Sequence, residues 1–266
     1  MKFYKRLTAF FLSLVVAFSL SVNTLAAESY TDECPNTEYI LATWEYSDED
    51  TERFSIPLPI PSSSDETDAQ LESIYKLYVD IIGNKATKTI TAKVTNEFAV
   101  GFSSIDITLE FYSERGKELK LRGSAHDNDL NLGESLSVSH TGIRESAKYY
   151  VVLKGTANGE KLNYSTSHVP FNKKAEKYPT DIKSPVTGES LPYYFSMTLQ
   201  KIPEDQRVVW NTSTRNAYEK HLGVSLKGYE VHHIIPRAYG GTNIYTNLIP
   251  LDPTDHTKVT TWWVNY

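Results

Sequence analysis

Residues 228–243 read GYEVHHIIPRAYGGTN, and residues 247–256 read NLIPLDPTDH. Both segments contain a short run of mainly apolar residues, which is typical of a β-strand. The paired glycines between them are typical of a turn. The sequence therefore predicts a hairpin whose strands run from Tyr229 to Ile234 and from Asn247 to Leu251.

A helix is predicted directly after this hairpin, from Pro253 to Trp263. Asp252 accepts hydrogen bonds well from the free amides of a first helical turn, and proline suits the first helical position. A helix packed on the hairpin would bring three histidines close together, namely His232, His233 and His256.

The order of these residues resembles the ββα-metal motif of HNH endonucleases. The Glu-x-His-His sequence at residues 230–233 is especially similar to the colicin-type nuclease toxins. The resemblance covers residues 215–266. It includes Ile-Pro and Gly-Gly after the paired histidines, followed by Asn247 and a helical His256.

This resemblance implies a chemical role for each of the three histidines. His233 would be the general base that takes a proton from the water attacking phosphorus. His232 and His256 would hold one divalent metal ion, which would stabilise the charge developing on the phosphate and on the departing oxygen.

The resemblance also implies supporting roles for three further residues. Asn247 would bond to the hairpin backbone and orient His233, and Glu230 would orient either a ligand histidine or a nearby arginine. Arg237 would contact the phosphate backbone of the substrate. For Arg237, a surface arginine paired with a carboxylate is an equally open interpretation.

One position departs from the family pattern and affects the choice of metal. Some HNH enzymes have a second helical histidine four residues after the first, where this sequence has Thr260. Two histidines completed by water and substrate suit a weakly held ion better than a tight tetrahedral zinc. Mg²⁺ is therefore the favoured cofactor, with Mn²⁺, Zn²⁺ and Ni²⁺ as alternatives.

The start of the chain predicts export. Basic residues precede an apolar run from Leu7 to Val22, and small residues end at Ala27, as in a secretory signal peptide spanning residues 1–27. An uncleaved N-terminal anchor is the alternative interpretation. The mature protein is predicted to be secreted, with no membrane span. Cys34 is the single cysteine, so an internal disulfide is excluded.

Residues 28–172 are predicted to form an all-β sandwich of the immunoglobulin type, because short strand patterns alternate with Gly and Asn turns. A two-residue turn, Gly83-Asn84, is predicted to join the second and third strands. The predicted strands are Tyr39 to Tyr46, Ile74 to Ile82, Thr87 to Thr95, Ile105 to Phe111, Ser135 to Val138, Tyr149 to Leu153 and Leu162 to Tyr164. For the second of these, a helix is the alternative, because Leu71, Ile74, Tyr75 and Tyr78 also fit one helical face.

Residues 173–200 contain several prolines and are predicted to be a linker to an HNH nuclease domain at residues 201–266. That domain would begin with a helix from Pro203 to Leu222, which Gly223 would end. The predicted fold class is therefore α+β, with a β-sandwich followed by a small ββα-metal domain.

Charge is unevenly distributed between the two predicted domains. The whole chain has a net charge of −6, whereas residues 28–200 have −10 and residues 201–266 have +1. The acidic domain is not expected to bind nucleic acid by itself, because the phosphate backbone would repel it.

Taken together, these features predict a secreted, metal-dependent endonuclease that hydrolyses phosphodiester bonds in nucleic acid, with DNA favoured over RNA. An effector or toxin role would add a cell-surface ligand of the β-domain and an immunity protein as partners. The alternative is a secreted protein whose β-domain binds a cell surface or carbohydrate, with a structural metal-binding module at its C-terminus.

Overall fold

The computed structural model describes residues 50–58, 76–97 and 105–266. The predicted signal peptide, Cys34 and the predicted strand from Tyr39 to Tyr46 lie outside these residues. All described residues belong to one compact unit of the chain. No helix among them has the length and apolar character needed to cross a membrane.

Among the described residues, the N-terminal part contains nine strands in two antiparallel sheets. The first sheet has the order β1-β2-β3-β6, and the second has the order β5-β4-β7-β8, with β9 also pairing with β7. The strands are β1 Thr51–Pro57, β2 Lys76–Asn84, β3 Thr89–Asn96, β4 Ile105–Arg115, β5 Glu118–Asp127, β6 Ser135–His140, β7 Ala147–Ala157, β8 Glu160–Ser165 and β9 Val169–Phe171.

Both sheets contribute side chains to one apolar core. In β4, buried and partly exposed residues alternate along the strand, so that Ile107, Leu109 and Phe111 face inward. Val79 and Ile90 of the first sheet belong to the same core cluster. This alternation is expected for antiparallel sheets with one buried face.

The prediction of a two-residue turn at Gly83-Asn84 was wrong. Gly83 pairs with Ile90 and Asn84 pairs with Thr89, so both residues belong to β2. The turn is the four-residue segment that ends at Lys88, which adopts a positive φ of 51°. Glycine is required at position 83 by close packing, because a Cβ there would overlap the carbonyl oxygen of Ala175.

The C-terminal part contains one hairpin and two helices. The hairpin consists of β10 Glu230–His233 and β11 Leu248–Leu251, which pair antiparallel as predicted. The helices are α1 Thr212–Leu222 and α2 Pro253–Val264. Short 3₁₀ turns lie at Glu204–Gln206, Arg237–Tyr239 and Tyr245–Asn247.

Local capping sets the ends of both helices. Asp252 accepts hydrogen bonds from the backbone amides of Thr254 and Asp255, so α2 begins where the sequence predicted. Helix α1 is shorter than predicted, because Asn211 caps its start and residues 203–211 are not α-helical. Gly223 ends α1 with a φ of 70°, as expected for a glycine cap.

A second apolar core lies under the hairpin and α2. Trp262 and Trp263 of α2 pack there, and the Trp262 ring nitrogen donates to the carbonyl oxygen of Glu176 at 2.9 Å. The segment predicted as a linker supplies five buried side chains to this core, namely Tyr178, Ile182, Leu191, Phe195 and Met197. Residues 173–200 are thus packed against the C-terminal domain, while the domain boundaries themselves stay a prediction.

Candidate active site

β10 and α2 bring His232 into contact with His256, and His233 is the neighbouring residue of β10. His232 and His233 end β10, and His256 lies near the start of α2. Successive residues of a strand point to opposite faces. The His232 ring accordingly packs on His256, with 5.3 Å between ring centroids, and the His233 ring packs edge-on against Trp210 at 5.0 Å.

His232 has the properties of a neutral nitrogen ligand. Its side chain is buried, and its Nε2 atom has no hydrogen-bond partner among the described residues. Burial, and then the neighbouring His256 and His233, lower the pKa of His232 to about 3. A buried polar atom without a partner is unusual in proteins, and a bound metal ion would satisfy it.

His256 is oriented by a carboxylate. Its Nδ1 atom lies 2.6 Å from Oε2 of Glu230. A proton shared in this contact places the lone pair of the neutral ring on Nε2, where it can bind a metal ion. The sequence left open whether Glu230 orients a ligand histidine or a nearby arginine. In the structure it contacts His256, one of the two predicted ligands.

The donor set fits a divalent ion only if other ligands complete it. His232 and His256 offer two imidazole nitrogens. Across residues 50–58, 76–97 and 105–266, no group of three or more His, Cys, Asp or Glu side chains is arranged to hold a metal ion. Water and substrate oxygens would have to supply the remaining positions.

His233 contacts a residue that the sequence did not single out. Its Nε2 atom lies 2.9 Å from Oδ1 of Asn243, and Nδ2 of Asn243 donates to the carbonyl oxygen of Val209 at 2.8 Å. Burial, and to a smaller degree Arg237, lower the pKa of His233, whereas the Asn243 bond opposes this shift. A neutral imidazole results, and a neutral imidazole can accept a proton.

Arg237 lies beside His233 but is partly fixed to the main chain. Its Nε atom donates to the carbonyl oxygen of Val208 at 2.6 Å. The segment that precedes α1 is therefore held next to the site. This contact could not be predicted from the sequence, because nothing in the spacing of residues 207–211 relates them to the histidines.

Asn247 is buried and bonds to the loop that follows β10. Its Oδ1 atom accepts from the amide of Ile235 at 2.9 Å, and its Nδ2 atom donates to the carbonyl oxygens of Ile235 at 3.1 Å and Thr242 at 2.9 Å. Gly241 passes so close that a Cβ there would overlap the Ile235 carbonyl oxygen. The loop is thus tightly closed around the Asn247 side chain.

Residues 220–261 match the family model described as HNH endonuclease. This segment is an HNH domain. It includes all six predicted site residues, and such a domain indicates a nuclease that acts on nucleic acid and generally uses a divalent metal ion. Comparisons of the chain with curated proteins and with solved structures gave no match.

Proposed function

We propose that the protein is a secreted, divalent-metal-dependent endonuclease that hydrolyses phosphodiester bonds, with DNA favoured over RNA. The observation that carries this proposal is the environment of the two neighbouring histidines at the end of β10 in the HNH domain. His232 presents a buried nitrogen without a described partner, and the next residue, His233, is a neutral imidazole held by Asn243.

In this proposal His233 takes a proton from the attacking water, since a neutral imidazole near the reacting phosphate is suited to that step. His232 and His256 would hold the divalent metal ion, and the ion would supply positive charge that stabilises the phosphate and the leaving oxygen. Mg²⁺ is the favoured ion, and Mn²⁺, Zn²⁺ and Ni²⁺ are the alternatives.

Three other residues support the reacting groups. Glu230 orients His256 through the 2.6 Å contact with its ring nitrogen. Asn247 keeps the loop after His233 closed and so holds that histidine in place. Arg237 directs its remaining guanidinium nitrogens to a substrate phosphate, while its Nε stays on Val208.

The β-domain is proposed to be an immunoglobulin-like sandwich. The order of its strands supports this, because β2, β3 and β6 correspond to A, B and E of that fold, and β5, β4, β7 and β8 correspond to C′, C, F and G. In an effector or toxin, this domain would bind a cell-surface ligand, and an immunity protein would bind the HNH domain. Residues 1–27 would direct export.

Single histidine variants test the proposal. His233→Ala should reduce DNA nicking by about 10²- to 10⁴-fold, the usual loss on removing a general base. Its metal affinity in calorimetric titration should stay unchanged, because the ligand histidines remain. His256→Ala should weaken metal affinity and nicking together. His126→Ala, on the exposed side of β5, is the matched control and should change neither.

Two outcomes would contradict the proposal. If the protein nicks DNA and His233→Ala nicks it at the wild-type rate, His233 is not the base. If His232→Ala or His256→Ala unfolds the domain and the wild-type protein cleaves no nucleic acid, the metal site is structural.

A further inference from the structure

Asn243 lies in the loop between β10 and β11, and both the oxygen and the nitrogen of its side-chain amide form hydrogen bonds. One end lies 2.9 Å from Nε2 of His233, and the other lies 2.8 Å from the main-chain oxygen of Val209. The side chain therefore connects the proposed base to the chain segment before α1.

The chemistry of these contacts fixes the direction of each hydrogen bond. A main-chain carbonyl can only accept, so the amide group that faces Val209 must be the NH₂ group. The oxygen of Asn243 then faces His233, and because this oxygen also can only accept, Nε2 of the ring must carry the proton. In the neutral ring, the lone pair is consequently on Nδ1.

Two further contacts hold the segment before α1 next to the His233 ring. Val208 accepts from Arg237 at 2.6 Å, and Trp210 packs edge-on against His233 with an angle of 83° between the two rings. We name residues 208–210 the bridging segment. Asn243 and Arg237 hold it from the hairpin side, and its tryptophan limits how the His233 ring can turn.

We propose that Asn243 is a positioning residue for His233. It holds the ring as the tautomer whose Nδ1 is open to a proton, and it ties that ring to the bridging segment. The proposal rests on the proposed function of His233 as the base. It also has a consequence that is independent of cleavage, because the ring proton on Nε2 must be hydrogen-bonded in the free protein.

Three variants in the full chain test this inference. Asn243→Ala removes both bonds, whereas Asn243→Asp keeps the oxygen that accepts from Nε2. Thr246→Ala is the control, because Thr246 is an exposed residue of the same loop. The measurements are the ring proton and ¹⁵N resonances of His233 by NMR at fixed neutral pH, and kcat and KM of nicking with Mg²⁺ or Mn²⁺.

The expected result is a protected Nε2 proton in the wild-type, Asn243→Asp and Thr246→Ala proteins, and rapid exchange of that proton in Asn243→Ala. In the same series, kcat should fall about 10- to 100-fold in Asn243→Ala, because the base is no longer held in its reactive orientation, with KM changed far less. Asn243→Asp should recover part of kcat.

Two results would overturn the inference. One is a ring that carries its proton on Nδ1 in the wild-type protein, or that keeps a protected Nε2 proton in Asn243→Ala. The other is an Asn243→Ala enzyme with wild-type kcat. Should Asn243→Ala fail to fold, the wild-type tautomer and the Asn243→Asp variant decide instead. If the wild-type protein cleaves nothing, the proposed function fails, and the ring-proton measurement still decides the role of Asn243.

Discussion

The substitution Asn247→Ala should destabilise the HNH domain, and its effect can be worked out from the structure. It removes three hydrogen bonds, one from the amide of Ile235 and two to the carbonyl oxygens of Ile235 and Thr242. Asn247 is buried, with 4% of its surface exposed, so water cannot easily replace the lost partners.

Each of these bonds contributes about 1 kcal/mol to stability, so the loss should be about 3 kcal/mol. For a chain of this size, that corresponds to a fall of roughly 6–12 °C in the unfolding midpoint. Urea or thermal unfolding followed by tryptophan fluorescence is a suitable assay. Three of the four tryptophans, Trp210, Trp262 and Trp263, lie in the C-terminal part of the chain.

Two further variants sharpen the test. Asn247→Asp keeps the acceptor for the Ile235 amide but loses both donated bonds and sets a carboxylate oxygen against two carbonyl oxygens, so its stability should fall at least as far as that of the alanine variant. Asn163→Ala, an exposed asparagine of β8, is the matched control and should stay within about 0.5 kcal/mol of the wild type. An Asn247→Ala protein as stable as Asn163→Ala would refute the view that this side chain holds the loop.

Two other predictions concern the metal site and the domain boundary. Glu230→Ala removes the carboxylate from His256, so we expect metal affinity to weaken about 10- to 100-fold in calorimetric titration, and an unchanged affinity would contradict the orienting role. The fragment 201–266 lacks the five core side chains of residues 173–200, so we expect the circular dichroism spectrum of an unfolded chain. The fragment 173–266 contains them and should fold. A stably folded 201–266 fragment would show that residues 173–200 are dispensable.

Features governed by local chemistry could be predicted from the sequence. The Asp252-Pro253 start of α2 and the Gly223 end of α1 depend only on free backbone groups within one helical turn. The hairpin β10–β11 follows from two short apolar runs. The family pattern then predicted which residues form the site, and their roles stay a prediction.

Features governed by distant contacts could not be predicted. Residues 173–200 have the composition of a linker, yet Tyr178 and Phe195 are buried against Trp262 on α2. Strand β5 was missed because its two leucines, at positions 119 and 121, are exposed, so its pattern does not indicate a buried face. Asn243 was missed because its partner Val209 lies 34 residues away in the chain.

The most direct test of the central claim is to incubate the purified mature protein with plasmid DNA and with RNA, in the presence of Mg²⁺, Mn²⁺, Zn²⁺ or EDTA. The proposed mechanism predicts nicking or cleavage with at least one of the three metals, no cleavage in EDTA, and a faster reaction with DNA than with RNA. If both nucleic acids stay intact with all three metals, or are cleaved equally well in EDTA, the protein is not the metal-dependent endonuclease proposed here.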